Sequence, residues 1–400
     1  MSQNSLSINH GLMHKVNCSL ILSSLRKHPS QTRAKLAKHT GLTRSTISNL
    51  IDELIEKNFI HEVGYEPSSG GRRGILLELN PEGGSAIAVK INASSVQCAL
   101  SNLVGDILWH KLVPLTSTEV DVVLPIAEQL IQEAMTENSE QLDILGIAVG
   151  VTGLVSADGV VVYSKNLNWK HVDLHATWED CFKVPVTVDN DVSLAAFGEN
   201  HYGRATNERH FIYVEIGYGT GAGIILDGQL FRGPTGHAGE VGYIIFNLLD
   251  ADGQVQSTTW EEMTNIPRLK AVVADLIDQG ITTRLQRDAL SFDKIIKAAR
   301  DNDPVASQAM RQLTRNVGIG LANLVNIFDI STFVLGGELG TQYEPYLDTL
   351  NDALSQHLIS APADGVTVRI SNLKPDAVLM GAIAQVFDEI LREPSLNVNL

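Results

Sequence analysis

The sequence feature that most constrains the fold is the glycine-rich segment Glu215–Tyr243, EIGYGTGAGIILDGQLFRGPTGHAGEVGY. Glycines alternate with other residues from Gly217 to Gly223, between apolar runs typical of strands, so the pattern predicts a β-hairpin. A backbone without side chains can approach a phosphate or a sugar closely, although alternate glycines in paired strands more commonly make a tight turn or a bulge. Both interpretations stay open on this segment alone, which also carries the carboxylate of Glu240 beside small residues.

Length and composition are those of a soluble protein with more than one domain. Four hundred residues suffice for two or three domains, and the hydrophobic and charged fractions, 44% and 19%, are ordinary for a globular chain. No apolar run approaches the roughly 20 residues that a membrane-spanning helix needs, so no membrane partner is expected. The three cysteines, Cys18, Cys98 and Cys181, lie far apart, which fits neither a disulfide framework nor a cysteine-rich metal site. We therefore expect buried thiols in a reducing compartment, the cytoplasm.

Charge is distributed unevenly along the chain. The formal net charge is −16, yet residues 1–80 contain ten Lys or Arg against six Asp or Glu, a net charge of +4. Residues 81–400 contain twenty against forty, a net charge of −20. A basic first part on an acidic remainder suggests that the first part binds a polyanion such as DNA, which would repel the rest of the chain.

The first eighty residues show the pattern of three helices. Apolar residues at helical spacing predict a first helix over Met13–Leu25, and a short second helix follows over Arg33–Lys38. The Pro29-Ser30 pair is expected to stop the first helix and cap the second, which Gly41 ends. Thr43 is suited to cap a third helix with a polar, exposed start. The inward positions are predicted to be Met13, Val16, Leu20, Ile21 and Leu25 in the first helix, and Ile47, Leu50, Ile51, Leu54 and Ile55 in the third.

A short helix, a turn with glycine and a longer helix with a polar start indicate a helix-turn-helix, whose second helix enters the major groove of DNA. Strands predicted over Phe59–Val63 and Ile75–Leu79 would form a wing. The loop between them carries Arg72 and Arg73, which fit the negative potential of a narrow minor groove. The alternative is a three-helix protein-binding module with a solvated basic loop. Turn spacing, basic charge and the wing together favour DNA.

The expected DNA contacts fall into three groups. Base edges are assigned to Arg44, Ser48 and Asn49 at the exposed start of the third helix, where Ser45 and Thr46 are also expected to contact DNA. Phosphate contacts are assigned to the second helix, namely Arg33, Lys35 and Lys38, and the minor groove to Arg72 and Arg73. The run Asn80–Gly84 marks the boundary of this domain, which we place at residues 1–80.

Beyond Gly84 one pattern of elements occurs twice. The first copy has strands over Ser85–Ile91, Val96–Ser101, Ile107–Val113 and Ile144–Val149, with a helix over Val120–Met135. The second has strands over Phe211–Ile216, Ala222–Leu226, Gly228–Arg232 and Thr332–Leu335, with helices over Phe292–Arg300, Val305–Phe328, Tyr343–Leu358 and Asp376–Leu391. The segment Ala88–Asn92, AVKIN, matches Tyr213–Gly217, YVEIG. This similarity predicts an internal duplication.

Two α/β lobes, each opened by a strand, a turn and a strand, are the arrangement of actin-like sugar kinases. With its alternate glycines, Ala238-Gly239-Glu240, Val188-Asp189-Asn190-Asp191 and Gly336-Gly337, the chain resembles the ROK family over essentially its whole length, and specifically the NagC/XylR-type repressors of that family. The resemblance implies an α/β fold, an N-terminal winged helix-turn-helix followed by a two-lobed, actin-like ATPase body related to the ROK sugar kinases. We expect one lobe over residues 85–190, completed by a C-terminal helix at 376–391, and a second lobe over 191–375.

The resemblance also implies a sugar site in a cleft between the lobes. Asn190 and Asp191 match the pair that supplies a sugar contact and the general base of the kinases. Asn166, Glu240 and Glu261 match further sugar-binding residues. A carboxylate at a helix start suits such a role, because the helix dipole favours its ionised form. The alternative, that Asp191 only caps the helix, is compatible with sugar binding.

Departures from the family pattern imply that phosphoryl transfer is lost. Family kinases open the body with Asp-x-Gly-Gly-Thr, whose Asp handles the metal, and here Lys90-Ile91-Asn92-Ala93-Ser94 stands in that place. An ammonium group opposes magnesium, and Tyr218 replaces a family Thr where it would crowd a phosphate. The family zinc site is also missing, since Tyr243 replaces a ligating His and residues 247–259 contain no cysteine. We expect no metal, no cofactor and no catalytic residue, with Asp191 a vestigial base.

Together these patterns predict a non-enzymatic, cytoplasmic repressor of sugar-utilisation genes that forms a homodimer or a higher homo-oligomer. Its partners would be a double-stranded DNA operator and a sugar or sugar phosphate. The sugar would close the lobes and weaken operator binding by its differential affinity for the closed state. Two alternatives stay open: an active hexose or N-acetylhexosamine kinase, and a regulator controlled by a protein partner instead of a sugar.

Overall fold

The computed structural model describes residues 2–67, 73–249, 255–359, 365–374 and 376–392. Contacts divide the chain into two compact units, of which unit one comprises Met1–Leu194 with Val378–Leu400 and unit two comprises Ala195–Ala377. Unit one therefore contains both the predicted DNA-binding domain and the first lobe. The finer boundaries expected from the sequence, at residues 80, 85, 190 and 376, stay predictions.

The N-terminal part of unit one is a winged helix-turn-helix. Its elements are α1 (Ser2–Lys27), β1 (Gln31–Thr32), α2 (Arg33–Thr40), α3 (Arg44–Glu56), β2 (Ile60–Tyr65) and β3 (Ile75–Leu79). The strands form one antiparallel sheet in the order β1-β3-β2. The helices supply most of the buried core of this part, namely Cys18, Ile21, Leu22, Leu25, Leu36, Ile47, Leu50, Ile51 and Leu54. The predicted second and third helices are confirmed.

Local chemistry sets the turn between α2 and α3. Gly41 ends α2 at φ 73°, a left-handed conformation that favours glycine, and its N–H donates to Ala37 O. The hydroxyl oxygen of Thr43 then accepts from the N–H of Thr46 at 3.2 Å and starts α3. Both expectations for this turn are confirmed.

Two details of this part differ from the expectation. Thr32 rather than Ser30 caps α2, because Gln31 and Thr32 pair with β3 as a short strand and delay the helix start. In α1, three predicted inward residues are exposed: Met13, Val16 and Leu20. The predicted stripe was wrong there because the core takes the face of α1 that carries Cys18, Ile21, Leu22 and Leu25.

The rest of unit one is built on a five-stranded sheet. Its elements are β4 (Ser85–Ile91), β5 (Ser95–Asn102), β6 (Ile107–Pro114), α4 (Val120–Thr136), β7 (Ile144–Val151), β8 (Leu154–Val155), β9 (Val160–Ser164), β10 (Trp169–Asp173), α5 (His175–Phe182) and β11 (Val186–Asn190), followed by α6 (Asp191–His201), which leads into unit two. The sheet order is β11-β7-β4-β5-β6, and β8, β9 and β10 form a small separate sheet. Strand β4 is buried at every residue, as expected of a central strand covered on both faces.

Unit two has its own five-stranded sheet and a set of helices. Its elements are β12 (Phe211–Ile216), β13 (Thr220–Leu226), β14 (Gln229–Leu230), β15 (Ile245–Leu249), β16 (Val255–Thr259), α7 (Trp260–Thr264), α8 (Ile266–Asp278), α9 (Phe292–Arg300), α10 (Pro304–Phe328), β17 (Thr332–Gly336), α11 (Gly337–Gly340), α12 (Leu347–Ser355) and β18 (Thr367–Ile370). The sheet order is β14-β13-β12-β17-β18, and β15 pairs with β16 as a separate hairpin. The chain then returns to unit one through α13 (Ala377–Arg392).

The two large sheets share one topology, as the predicted duplication requires. In each, an antiparallel three-strand meander is followed by two strands that add in parallel on the other side. Strands β4 and β12 hold equivalent central positions. Lys90 of β4 is in register with Gly150 of β7, and Glu215 of β12 is in register with Gly336 of β17. The matched segments AVKIN and YVEIG therefore place opposite charges at equivalent positions of the two units.

The cysteines depart from the expectation at one position. Cys18 and Cys98 are buried, but Cys181 is exposed. On α5, Trp178 and Phe182 occupy the inward face one turn apart, with ring centroids 6.2 Å from each other, so Cys181 is left on the outer face.

Within the described ranges, no helix combines the length and the apolar character needed to cross a membrane.

Candidate functional site

The start of α3 presents the polar surface that the sequence assigns to base contacts. Arg44, Ser45 and Asn49 are exposed, and Thr46 and Ser48 are half-buried. The Thr43 side chain holds this turn together, since its hydroxyl lies 3.0 Å from Ser45 Oγ and 2.8 Å from Thr46 Oγ1. The opposite face of α3 is buried, so this end of the helix is fixed while its polar side chains face outward.

Carboxylates partly neutralise the basic residues of α2. The Arg33 guanidinium lies 2.7 Å from Asp52 Oδ1 and 3.9 Å from Glu62 Oε1, and Lys35 Nζ lies 2.6 Å from Glu66 Oε1. Exposed pairs of this kind contribute only about 0–1 kcal/mol, so exchange for a phosphate oxygen would cost little. Sequence reasoning did not foresee these pairs.

Three other predicted cations are more accessible. Lys38, Arg44 and Arg73 are exposed and form no ion pair with the described part of the chain. Arg73 lies just before β3, at the base of the wing. Arg72, the second wing arginine expected to bind DNA, lies outside the described residues.

In unit one, the predicted sugar residues Asn190 and Asp191 stand where β11 ends and α6 begins. Asn190 Oδ1 accepts from Ser193 N–H at 3.0 Å, and Asn190 Nδ2 donates to Gly153 O at 2.9 Å. Asn190 therefore caps α6, and the alternative that Asp191 caps this helix was wrong. Asp191 is 4% exposed, and its carboxylate accepts from Thr152 Oγ1 at 2.5 Å and from Val192 N–H at 3.0 Å.

Thr152 is a residue of this site that the sequence analysis missed. It follows β7, and the carboxyl ends of parallel strands are where α/β proteins place ligands, so its position was a usable signal. The neighbouring Gly153 has φ 136° and packs so closely on Tyr163 and Ser164 that a Cβ would lie 2.6 Å from Tyr163 O. Gly153 thus contacts both Asn190 and the end of β9, the strand that leads into the turn with the exposed Asn166.

In unit two, Glu240 and Glu261 are both held against the start of β13. Gly239 and Gly242 flank Glu240 and lie so close to β13 that a Cβ would come within 1.9 Å of Ala222 O and 2.1 Å of Thr220 O, respectively. Glu240 is exposed. Glu261 Oε2 accepts from Thr220 N–H at 3.0 Å. The glycines of this segment thus allow close backbone packing that places the segment of Glu240 near Glu261, at the start of β13.

The short helix α7 fixes Glu261 through its neighbours. Thr259 and Glu262 form a reciprocal capping box at its start. Trp260 is fully buried, and its Nε1 donates to Asn316 O at 3.0 Å. These contacts of its neighbours fix the position of Glu261 without a metal ion.

The residues present do not fit the metal and phosphate groups that the kinases use. Lys90, which the family resemblance sets against the metal-handling carboxylate, is a buried cation, and Tyr218 is exposed within the glycine turn. In unit two, Glu215 lies on the Gly336-Gly337 turn, where a Cβ at Gly337 would be 2.9 Å from Glu215 Cγ. Its Oε2 accepts from Tyr213 Oη at 3.1 Å, and burial, together with Glu215, raises the pKa of Tyr213 well above its ordinary value. Within the described ranges, no group of three His, Cys, Asp or Glu could hold a metal ion.

Unit two also contains a buried carboxyl group that the sequence analysis did not assign. Glu199 of α6 is fully buried, accepts from Ser371 Oγ, and accepts from Arg204 N–H at 2.7 Å. Burial raises the pKa of Glu199, and these two hydrogen bonds offset the effect only in part. Both Glu199 and Ser371 stand near the places where the chain passes between the units in sequence, at Leu194 and Ala377.

Comparison with known proteins decides the family. The model of the ROK family matches residues 86–389, and the model of the MarR family matches residues 19–62, within the winged helix-turn-helix. The chain belongs to the ROK family. It is 32% identical over 396 residues to a xylose repressor of Caldicellulosiruptor bescii, covering 96% of this chain and 99% of that one. It is 25% identical over 381 residues to the DNA-binding transcriptional dual regulator NagC of Escherichia coli, covering 94% of both chains.

Solved structures agree with this assignment. A ROK family transcriptional regulator, described as a homolog of the E. coli MLC protein, covers 95% of this chain and 97% of its own, with a TM-score of 0.80 and 23% identity. A ROK family glucokinase from Streptomyces griseus, in complex with glucose and AMPPNP, covers 76% of this chain and 99% of its own, with a TM-score of 0.65 and 28% identity. The predicted family and the predicted fold, a winged helix-turn-helix on a ROK sugar-kinase-like body, are confirmed.

Proposed function

We propose that this protein is a DNA-binding repressor of sugar-utilisation genes whose affinity for an operator is controlled by a sugar or sugar phosphate. The observation that carries the proposal is full-length similarity to a xylose repressor, in a chain that joins a winged helix-turn-helix to a ROK body. The basic head and the acidic remainder support the same role, because only the head attracts DNA.

On DNA, α3 enters the major groove and its first turns contact base edges. Arg44, Ser48 and Asn49 are the proposed base contacts, with Ser45 and Thr46 beside them. Phosphate contacts come from Arg33, Lys35 and Lys38, the first two after exchange of their carboxylate partners, and Arg72 and Arg73 of the wing enter the minor groove. A homodimer, or a higher homo-oligomer in the cytoplasm, would place two heads on two half-sites.

The proposed effector contacts are Asn166, Asn190 and Asp191 in unit one and Glu240 and Glu261 in unit two. Carboxylates and amides of this kind suit sugar hydroxyls, which can donate and accept. The sugar changes operator affinity only by as much as it prefers one conformation of the chain over another. No metal and no cofactor takes part in this proposal.

The test is retardation of promoter DNA that contains the region upstream of the protein's own gene. We expect specific binding that falls on addition of one sugar from a panel of D-xylose, N-acetyl-D-glucosamine, D-glucose and their phosphates. Arg44→Ala should weaken specific binding by about 1–3 kcal/mol. Arg311→Ala, an exposed arginine on α10 of unit two, is the matched control and should leave binding unchanged. Absence of any retardation of this DNA by the parent protein would sink the proposal.

A second candidate is an active sugar kinase, which the geometry of Asp191 favours. Its carboxylate is held at the start of α6 by Thr152, in the position of the family base. Against this candidate stand Lys90 and Tyr218, which oppose the metal and the phosphate. Coupled ADP release with the same sugars tests it, and turnover abolished by Asp191→Asn would favour the kinase.

A third candidate is a regulator controlled by a protein partner. It would be favoured by an operator complex that is unaffected by sugars but dissociates when a protein component of sugar transport is added.

A further inference from the structure

Lys90 is a buried cation at the centre of unit one. It is 8% exposed on β4, although lysine is almost never buried without a partner. The strand register places Lys90 beside Gly150 of β7 and Gly150 beside Asp189 of β11. Side chains in register on neighbouring parallel strands point to the same face of a sheet. Lys90 and Asp189 therefore flank a position that has no side chain.

Asp191 lies over the same gap. A Cβ placed on Gly150 would be 3.6 Å from Asp191 Cα, and would contact Leu194 and Val378 as well. The carboxylate of Asp191 is buried, and it accepts hydrogen bonds from Thr152 Oγ1 and from Val192 N–H. Each of Lys90, Asp189 and Asp191 also has at least one hydrogen bond, ion pair or other electrostatic interaction besides those given above, so none of them lacks a partner. One buried cation and two carboxylates thus share one face of the sheet.

Charge explains what the lysine changes. With the aspartate of the family kinases at position 90, three carboxylates would face this gap, a formal charge of −3 that suits a divalent cation. With lysine the formal charge is −1, which no longer suits a divalent cation. Strands β4 and β11 lie on either side of β7, so two strand spacings of about 4.8 Å separate them. The long side chain of Lys90 and the short side chain of Asp189 can together span this distance across Gly150.

We propose that Lys90 is the resident counter-ion of Asp189 and Asp191, and that it holds Asp191 in place for the sugar effector without magnesium. Lys90 is a positioning residue in this scheme, since it acts through Asp191. The pairing stands on the geometry of unit one alone, whereas the effect on the sugar rests on the proposed function.

The pairing is tested without any ligand, by thermal unfolding of a double-variant cycle. Lys90→Met removes the charge at similar length, and Asp191→Asn and Asp189→Asn each remove one carboxylate charge. Each single variant is expected to lower the unfolding midpoint, because it leaves a buried charge without its partner. Lys90→Met combined with either aspartate variant should lower the midpoint by less than the sum of the two single effects. Asp158→Asn, an exposed aspartate of unit one, is the control and should add to Lys90→Met.

The pairing would be overturned if the midpoint shifts of Lys90→Met and Asp191→Asn simply added in the double variant, as the shifts of Lys90→Met and Asp158→Asn are expected to do. Should Lys90→Met fail to fold, the double variant Lys90→Met/Asp191→Asn decides the question, because removal of both charges is expected to restore folded protein. Failure of that restoration would also overturn the pairing.

The positioning role is tested by calorimetric titration of the full chain with the same sugar panel, in EDTA and in magnesium. Lys90→Met should weaken binding of the effective sugar by about tenfold, the loss of one charge-supported hydrogen bond, and EDTA should have no effect. In an Asp191→Asn background, Lys90→Met should cause no further loss. An equal loss in both backgrounds would refute positioning through Asp191. If the parent protein binds none of these sugars, the sugar sensor fails, while the unfolding cycle still decides the pairing.

Discussion

The contact between Trp260 and Gly320 gives the sharpest test of how unit two positions Glu261. Gly320 lies within α10, where alanine would normally stabilise the helix by about 1 kcal/mol relative to glycine. Here a Cβ would lie 1.9 Å from Trp260 Cε2, 2.2 Å from Cζ2 and 2.3 Å from Nε1, far inside contact distance. Overpacking costs about 1–3 kcal/mol, and displacement of the indole from Asn316 O costs about 1–3 kcal/mol more. Gly320→Ala should therefore destabilise unit two by about 1–5 kcal/mol.

Urea unfolding followed by far-ultraviolet circular dichroism measures this loss. Trp260→Phe is the matched second variant, since a phenyl ring lacks the fused part of the indole that meets the new methyl group. The double variant should lose less stability than the two single variants together. Because Glu261 follows Trp260 directly, Gly320→Ala should also weaken the response of the operator complex to sugar. A Gly320→Ala protein as stable as the parent, or strict additivity with Trp260→Phe, would refute the reasoning.

Three further outcomes follow from the structure. Thr43→Ala removes the cap of α3, so it should cost about 1 kcal/mol and lower the thermal midpoint, whereas Thr43→Ser should not; equal midpoints of the two variants would contradict the capping role. Because burial raises the pKa of Glu199, its contribution to stability is complete below the ordinary glutamate value of 4.5 and is lost as the pH rises through the higher folded value. Glu199→Gln should accordingly gain stability relative to the parent as the pH rises above 4.5, and a pH-independent difference in urea midpoints would argue against this assignment. Phe387→Leu removes the ring whose centroid lies 5.9 Å from the Arg26 guanidinium. In retardation titrations with and without sugar, this variant should reduce the effect of sugar on operator affinity more than it reduces the affinity measured without sugar.

The sequence predicted those features that local patterns encode. The helix-turn-helix was predictable because Gly41 and Thr43 act on their own neighbours, and the duplication because each central strand carries its own apolar run. The ion pairs of Arg33 and Lys35 were not, since they join residues far apart in the sequence. The exposed face of α1 was missed for a related reason: helical periodicity identifies apolar residues but not which of them the other elements cover.

The packing of the winged helix-turn-helix on the rest of unit one links Asp191, a proposed sugar contact, to the proposed DNA-binding surface. At the Asn80–Gly84 run, the predicted domain boundary, a Cβ at Gly84 would lie 2.6 Å from Leu145, so this glycine allows close packing. Helix α13 contacts both ends of the route. Val378, in its first turn, packs on Gly150 beneath Asp191, and Phe387, about 14 Å further along the helix, lies under Arg26 in the last turn of α1. Because a close-packed helix moves as a body, a displacement at Asp191 that shifts α13 must also move the support of the head.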